Sequence, residues 1–331
     1  MYRRLTLVAL LASVVASTAV LAQPRPDQPK SNQAKSNQAK SYKVPRTAHG
    51  HPDFQGIWVT AFLTMLERLP GVEGLVATPE QAAKLAAAIR AKMPPLADPQ
   101  VFIDDIKQLV RVRGEYRTSI IIDPPDGRMP YTKTGLEMLA KINARNDTQF
   151  DNPEERPFSE RCLENLGYPP IRTVPVFLPR QIVQTADDVV IANEDVPGSR
   201  FIHLKGGSLP ESMRSIGGYS VGRWEGDTLV VKTTNLRTDD PARTLAGPRT
   251  LLLGPDTRIT EWFTRVSDTE LVYRYTVDDA TLYTQPWTGE FSMTRLDVKT
   301  FEYGCHEGNY SMTNMLRGGQ AQAARKAAEA K

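Results

Sequence analysis

The residues best suited to acid–base chemistry lie together near the carboxyl end of the chain, at His306 and Glu307. Histidine changes its charge near neutral pH and a neighbouring carboxylate can orient it, so this pair predicts a general acid–base site. The two side chains would point to opposite faces of a strand, whereas in a loop they can meet. The alternative interpretation is a polar loop that closes one end of the fold.

A second polar cluster, formed by Glu194, Asp195 and Arg200, leads into a predicted strand over residues 200–204. Glu194 is a candidate to orient His306, and Arg200 is a candidate to bind an anionic group of a ligand. The alternative is a surface salt bridge, which contributes little to stability. His203 is a further candidate ligand-binding residue, unless it faces solvent or a partner carboxylate.

The aromatic residues offer a second kind of site. The four tryptophans, Trp58, Trp224, Trp262 and Trp287, are candidates to line a pocket for an apolar or aromatic molecule. Tryptophan also fills hydrophobic cores, which is the alternative interpretation of the same residues.

Several common chemistries lack their motifs. The four histidines, at positions 49, 51, 203 and 306, show no metal-binding spacing. The chain contains no G-x-S-x-G, phosphate-binding loop, dinucleotide fingerprint or C-x-x-C. We therefore expect no metal and no organic cofactor. With 41 basic and 38 acidic residues, the chain also gives no electrostatic reason to expect nucleic acid or an anionic membrane as a partner.

The amino terminus predicts export. Arg3 and Arg4 precede an apolar run that ends in small residues, which indicates a signal peptide over residues 1–22 rather than a membrane anchor. Residues 23–44 contain three prolines and a duplicated SNQAK, and are predicted to be a disordered linker. The mature protein is expected in the periplasm or outside the cell, with no membrane span.

Export affects the interpretation of the two cysteines, Cys162 and Cys305. Disulfides persist in oxidising compartments, so a bond between these distant residues is the leading interpretation. Two buried free thiols or a metal-binding pair are the alternatives.

The elements that must position these residues change character along the chain. The amino-terminal half predicts helices at 78–93, where Thr78 is the N-cap, and at 132–145, with 98–112 either helical or extended. From Cys162 onward, short alternating runs recur about every ten residues, which is typical of an antiparallel barrel or sandwich. The clearest signal is a hairpin within 217–236, with a predicted three-residue turn at 225–227.

These patterns predict a mainly β fold with N-terminal helices (α+β), built as an antiparallel β-barrel or curled sheet. We expect one globular domain over 45–317, divided into an α-containing segment at 45–160 and a β segment at 161–317. Residues 318–331 are expected to form an exposed helical tail. Gly56-Ile57-Trp58 is similar to the G-x-W that opens the first strand of lipocalin-like (calycin) barrels.

The chain resembles a family of uncharacterised exported bacterial proteins. The resemblance rests on GRWEGDTLVV at 222–231, PWT at 286–288 and CHEGNY at 305–310, with PDFQGIW at 52–58. Both family cysteines are matched, and the resemblance therefore implies the disulfide. The family's His-Asp pair after the position of Glu194 is replaced here by Pro197-Gly198, which implies an altered polar cluster. The family brings no activity.

Two functions follow as hypotheses. The first is an exported protein that binds a small apolar or aromatic molecule through the tryptophans, Arg200 and His203. The second is a cofactor-independent lyase, isomerase or hydrolase that acts on a small molecule or sugar, with His306 as acid–base and Glu307 or Glu194 to orient it. A structural envelope protein is a third possibility.

Overall fold

The computed structural model describes residues 42–93, 106–174, 177–194, 198–237, 241–243, 250–301 and 303–329. The predicted signal peptide, nearly all of the predicted linker, and Asp195 lie outside these residues. Val44 is already buried, so packing begins slightly before residue 45.

The element order is helix-poor and strand-rich. The helices are α1 (Pro79–Lys92), α2 (Lys133–Thr148) and α3 (Tyr310–Glu329), with a 3₁₀ turn at Pro153–Glu155. The strands before Cys162 are β1 (Gly56–Thr60), β2 (Val76–Ala77), β3 (Arg111–Val112), β4 (Glu115–Arg117) and β5 (Ile121–Asp123). The remaining strands are β6 (Leu178–Gln184), β7 (Asp188–Asn193), β8 (Ser199–His203), β9 (Tyr219–Glu225), β10 (Thr228–Thr234), β11 (Ala242–Arg243), β12 (Leu251–Leu252), β13 (Arg258–Arg265), β14 (Glu270–Asp278) and β15 (Trp287–Leu296).

Nine strands close a barrel in the order β1-β6-β7-β8-β9-β10-β13-β14-β15, because β15 pairs back onto β1. Strand β5 pairs with the start of β15, and β2-β4-β3 and β11-β12 form two small sheets that are not hydrogen-bonded to the barrel sheet. The predicted fold class, mainly β with N-terminal helices and a lipocalin-like barrel, is confirmed. It departs from a purely antiparallel barrel at one place, since β8 and β9 run parallel.

The alternation of the strands determines which side chains enter the barrel. In β13 the buried residues are Ile259, Glu261, Phe263 and Arg265, every second residue of the strand. The β9–β10 hairpin is present, but its turn is shorter than predicted. Glu225 pairs with Thr228, so only two residues remain in the loop, and Gly226 supplies the positive φ of 59° that the turn needs.

The helices follow their capping signals. Thr78 caps α1 and accepts the N–H of Gln81, and Thr132 caps α2 through the N–H of Gly135. The alternative of a helix over 98–112 is wrong at its carboxyl end, where Arg111–Val112 forms β3, and residues 98–105 lie outside the described part.

The carboxyl-terminal helix is exposed, as predicted, but begins earlier than residue 318. The Asn309 side chain accepts the N–H of Met312 and so caps α3 at Tyr310. Its two glycines do not end it. A Cβ at Gly319 would lie 2.2 Å from Phe150, so the helix backbone lies against that ring. Among the described residues, no helix has the length and apolar character to cross a membrane.

The predicted disulfide between Cys162 and Cys305 is confirmed, with the two Cα atoms 5.9 Å apart. It joins the loop before β6 to the segment after β15 and spans 143 residues of sequence. A cross-link of this span stabilises a fold chiefly by restricting the unfolded chain.

The double variant Cys162→Ser/Cys305→Ser should therefore lose about 3–5 kcal/mol of unfolding free energy. Urea denaturation of the purified protein measures this, with wild type reduced by dithiothreitol as the matched sample. Equal stability of the oxidised and reduced proteins would contradict the prediction.

Candidate functional site

The interior of the barrel is filled by side chains. The rings of Phe263 and Phe291 lie 4.9 and 5.1 Å from Tyr273, and Trp287 packs edge-on against Tyr275 at 5.7 Å. Trp287 lines an internal space of only about 10 Å³. That space holds at most one water molecule, whereas ligand pockets span hundreds of Å³.

A buried ion pair occupies the interior next to these rings. Arg200 on β8 donates from Nη1 to Oε1 of Glu261 on β13 at 2.8 Å, and its Nη2 contacts the other carboxylate oxygen. Both side chains are almost completely inaccessible to solvent. Arg200 also donates from Nε to Ser220 at 3.2 Å and from Nη2 to Thr233 at 3.2 Å. Each charge is therefore paired and hydrogen-bonded, as burial requires.

The hydroxyl of Tyr273 completes this network. It donates to Oε1 of Glu261 at 2.7 Å and accepts the N–H of Ile171 at 2.8 Å. Burial, reinforced by the negative charge of Glu261, holds the pKa of Tyr273 well above its ordinary value. The hydroxyl thus stays protonated and remains a donor to the carboxylate.

An open cleft lies where two neighbouring barrel strands share the fewest paired residues. The parallel strands β8 and β9 pair only at Ile202–Ser220 and His203–Val221, and the crossover 204–218 connects them. Arg200 precedes the first paired position, beside the unpaired part of the wall. The resulting cleft has a volume of about 520 Å³, and Arg200 and Ser220 are among its lining residues.

The cleft combines aromatic and cationic side chains. Its further lining includes Tyr168, Phe201, His203, Arg214, Tyr219 and Arg237. Arg214 donates to the carbonyl oxygens of Leu236 and Pro255 at 3.2 and 2.9 Å, which holds its guanidinium at the wall. Among the described residues that line the cleft, none is Asp or Glu.

His203, which lines the cleft, is paired with an aspartate that is not part of the lining. Asp188 on β7 is directly opposite His203 on β8, and Oδ1 of Asp188 lies 2.7 Å from Nδ1 of His203. The imidazole also packs against Tyr219, with ring centroids 5.2 Å apart. This arrangement can orient a histidine for proton transfer.

Two of the predicted ligand-binding residues, Arg200 and His203, thus meet in one cleft, whereas the tryptophans lie elsewhere. Trp58 is buried beneath Arg265, and Trp287 is buried in the core. Trp224 stacks on His51 with centroids 5.2 Å apart, and Trp262 faces outward beneath Arg274. None of the four is a lining residue of the cleft. They do not form a shared pocket, because they lie in different parts of the barrel.

The predicted catalytic residues also lie away from the cleft lining. His306 and Glu307 are exposed in the loop that follows Cys305. Glu194 accepts the N–H of Phe301 at 3.1 Å instead of orienting His306. No cluster of three or more potential metal ligands occurs within the described ranges.

Sequence reasoning missed Asp188, Arg214, Tyr219 and Glu261. A partner carboxylate is one of the alternatives for His203 given above, but the sequence does not identify Asp188 as that partner. Glu261 gave a usable signal, because it is a carboxylate that lies between Ile259 and Phe263 on the buried face of a strand. Arg214 and Tyr219 lie on or next to the crossover, whose path the strand pattern does not specify.

Removing the hydroxyl of Tyr273 should destabilise the fold, since it leaves a buried N–H and a carboxylate oxygen short of a partner. Tyr273→Phe is expected to lose about 1–3 kcal/mol of unfolding free energy. Tyr275→Phe is the matched control, because its ring stacks beside Tyr273 at 5.4 Å but does not join the ion-pair network. Equal losses in urea denaturation would contradict this role.

Comparisons of the chain with protein-family models, with curated proteins and with solved structures returned no match. The resemblance to exported bacterial proteins therefore stays a prediction that rests on the sequence motifs. A barrel fold hosts many unrelated functions. The function must accordingly be argued from the chemistry of the cleft.

Proposed function

We propose that the protein binds a small molecule carrying an aromatic ring and an anionic group, in the cleft between β8 and β9. The observation that carries this proposal is the meeting of Arg200 and His203 with two tyrosines in a cleft of about 520 Å³. This volume lies within the range of small-molecule sites. The proposal keeps the predicted ligand class but moves the site from the tryptophans to the outer wall.

The aromatic part of the ligand is suggested by the rings that line the cleft. The ring of Tyr219 packs against His203 at a tilt of 31°, and Phe201 is 53% exposed although it lies within a strand. Tyr168 lies directly on the backbone of the crossover, since a Cβ at Gly217 would be 2.9 Å from its ring. Such rings offer apolar area and edge-to-face contacts to a planar ligand.

The anionic part of the ligand is suggested by the arginines. The charge of Arg200 is neutralised by Glu261, so Arg200 contributes mainly to the shape of the cleft lining. Arg214 is 20% exposed, and its Glu211 partner lies at the solvent surface. A ligand carboxylate in the cleft would replace Glu211 as the partner of Arg214. The pair with Glu211 is exposed and screened by solvent, whereas a pair inside the cleft is shielded from solvent. Hydrogen bonds between charged groups are stronger than those between neutral groups.

We also propose that the protein acts after export, in the periplasm or outside the cell. The Cys162–Cys305 disulfide supports this, because such bonds persist in oxidising compartments. The predicted signal peptide over 1–22 is the second support. The ligand would then be a molecule of the envelope or the surroundings of the cell.

Isothermal titration with phenylpyruvate and with its neutral analogue phenylacetone tests the proposal. The acid should bind and the neutral ketone should bind at least tenfold more weakly, since a charged hydrogen bond contributes about 1.5–3 kcal/mol. Arg214→Gln should remove most of that difference. Arg258→Gln, at an exposed arginine on β13, is the matched control and should bind like wild type.

The proposal would be overturned if neither compound bound, or if both bound equally well. Binding of the acid that survived Arg214→Gln unchanged would place the anion site elsewhere. Circular dichroism of each variant checks that it folds, because Arg214 also bonds two backbone carbonyls.

A further inference from the structure

We infer that the cleft is also an active site, in which His203 is a general base that removes a proton from a carbon next to a carbonyl group. The substrate class is an aromatic 2-oxo acid, and the reaction is a cofactor-independent proton transfer, such as keto–enol tautomerisation. This inference rests on the proposed function, because the substrate must first bind in the cleft. It places the catalytic histidine on β8 instead of at His306.

The register of two strands holds the base in place. Asp188 and His203 are direct cross-strand partners, so their side chains leave the same face of the β7–β8 pair. The 2.7 Å contact joins Oδ1 of Asp188 to Nδ1 of His203. In a neutral imidazole this contact places the proton on Nδ1 and leaves the lone pair on Nε2.

The other nitrogen of the ring is available. Within the described part of the chain, Nε2 of His203 has no hydrogen-bond partner, and the side chain is 38% exposed at the cleft. The ring of Tyr219 packs against the imidazole at a tilt, with the ring centroids 5.2 Å apart. A Cβ at Gly206 would lie 2.9 Å from Cβ of His203 and from Oη of Tyr219, so this glycine lets the crossover pass close to both side chains.

The proton transfer balances without a further reactant. Nε2 of His203 takes the proton from the carbon, the C–H electron pair forms the C=C bond of an enolate, and the carbonyl π pair moves to oxygen. Asp188 stabilises the imidazolium that forms. The imidazolium then returns a proton to the oxygen, which gives the enol, or to the carbon, which regenerates the ketone with its hydrogen exchanged.

The experiment uses phenylpyruvate in D₂O with the purified, disulfide-bonded protein. Proton NMR follows loss of the C3 hydrogen signal, and isothermal titration of the same samples measures binding. Wild type should accelerate the exchange above the protein-free rate, and His203→Gln should reduce the catalysed rate about 100-fold or more while binding persists. Adding imidazole to His203→Ala should restore part of the rate, which a merely structural role would not allow.

Asp188→Asn is the second variant, because it keeps the size of the side chain but no longer favours the productive tautomer. It should lower the exchange rate at saturation and leave the dissociation constant nearly unchanged. The matched controls are Asp187→Asn, whose side chain pairs with Lys205, and His49→Gln at an exposed histidine outside the cleft. Both controls should exchange like wild type.

The outcomes separate the two proposals. Binding without accelerated exchange, or exchange that survives His203→Gln, overturns the catalytic inference and leaves the binding site intact. Absence of phenylpyruvate binding overturns both. Binding with exchange that depends on His203 and Asp188, but not on Asp187 or His49, supports both.

Discussion

The buried ion pair between Arg200 and Glu261 is the constraint on which the rest of the barrel depends. Separating either charge from its partner in the interior would cost several kcal/mol, because little solvent is available to replace the lost contact. Tyr273, Ser220 and Thr233 supply the remaining hydrogen bonds. These five side chains come from β8, β9, β10, β13 and β14, so a change of register in any of these strands would break the network.

The same network explains why the interior of the barrel is an unsuitable ligand site. The charges and their partners occupy one part of the interior, and the packed rings around Tyr273 occupy another. The network instead fixes the inner side of the barrel wall beneath the cleft. Arg200 reaches inward from the place where β8 and β9 barely pair, so the ion pair supports the wall at the position where the cleft opens.

Much of the fold was accessible from sequence because it depends on local signals. Two-residue alternation predicted the strands, the N-cap Thr78 predicted the start of α1, and export with two cysteines predicted the disulfide. The parallel β8–β9 pair was not accessible, since alternation is the same in parallel and antiparallel strands. The crossover that parallel pairing requires is also what forms the cleft.

The candidate site was predictable only in part. Arg200 and His203 were identified by residue type, but their partners Glu261 and Asp188 depend on which strands become neighbours in the barrel. His306 looked reactive because of the residues beside it in sequence. In the fold its loop is attached through the disulfide at a place outside the cleft lining, which residue type alone does not reveal.

Hydrogen–deuterium exchange with and without phenylpyruvate tests the central claim, that the ligand site is the outer cleft at the β8–β9 junction. Peptides covering 199–203 and 211–221 should exchange more slowly when the ligand is bound, because they contain the cleft walls. Peptides covering 303–309 should be unchanged. Protection confined to 303–309, or to β1, β13 and β15, which carry Trp58, Trp262 and Trp287, would contradict the account and return the site to the position that the sequence first suggested.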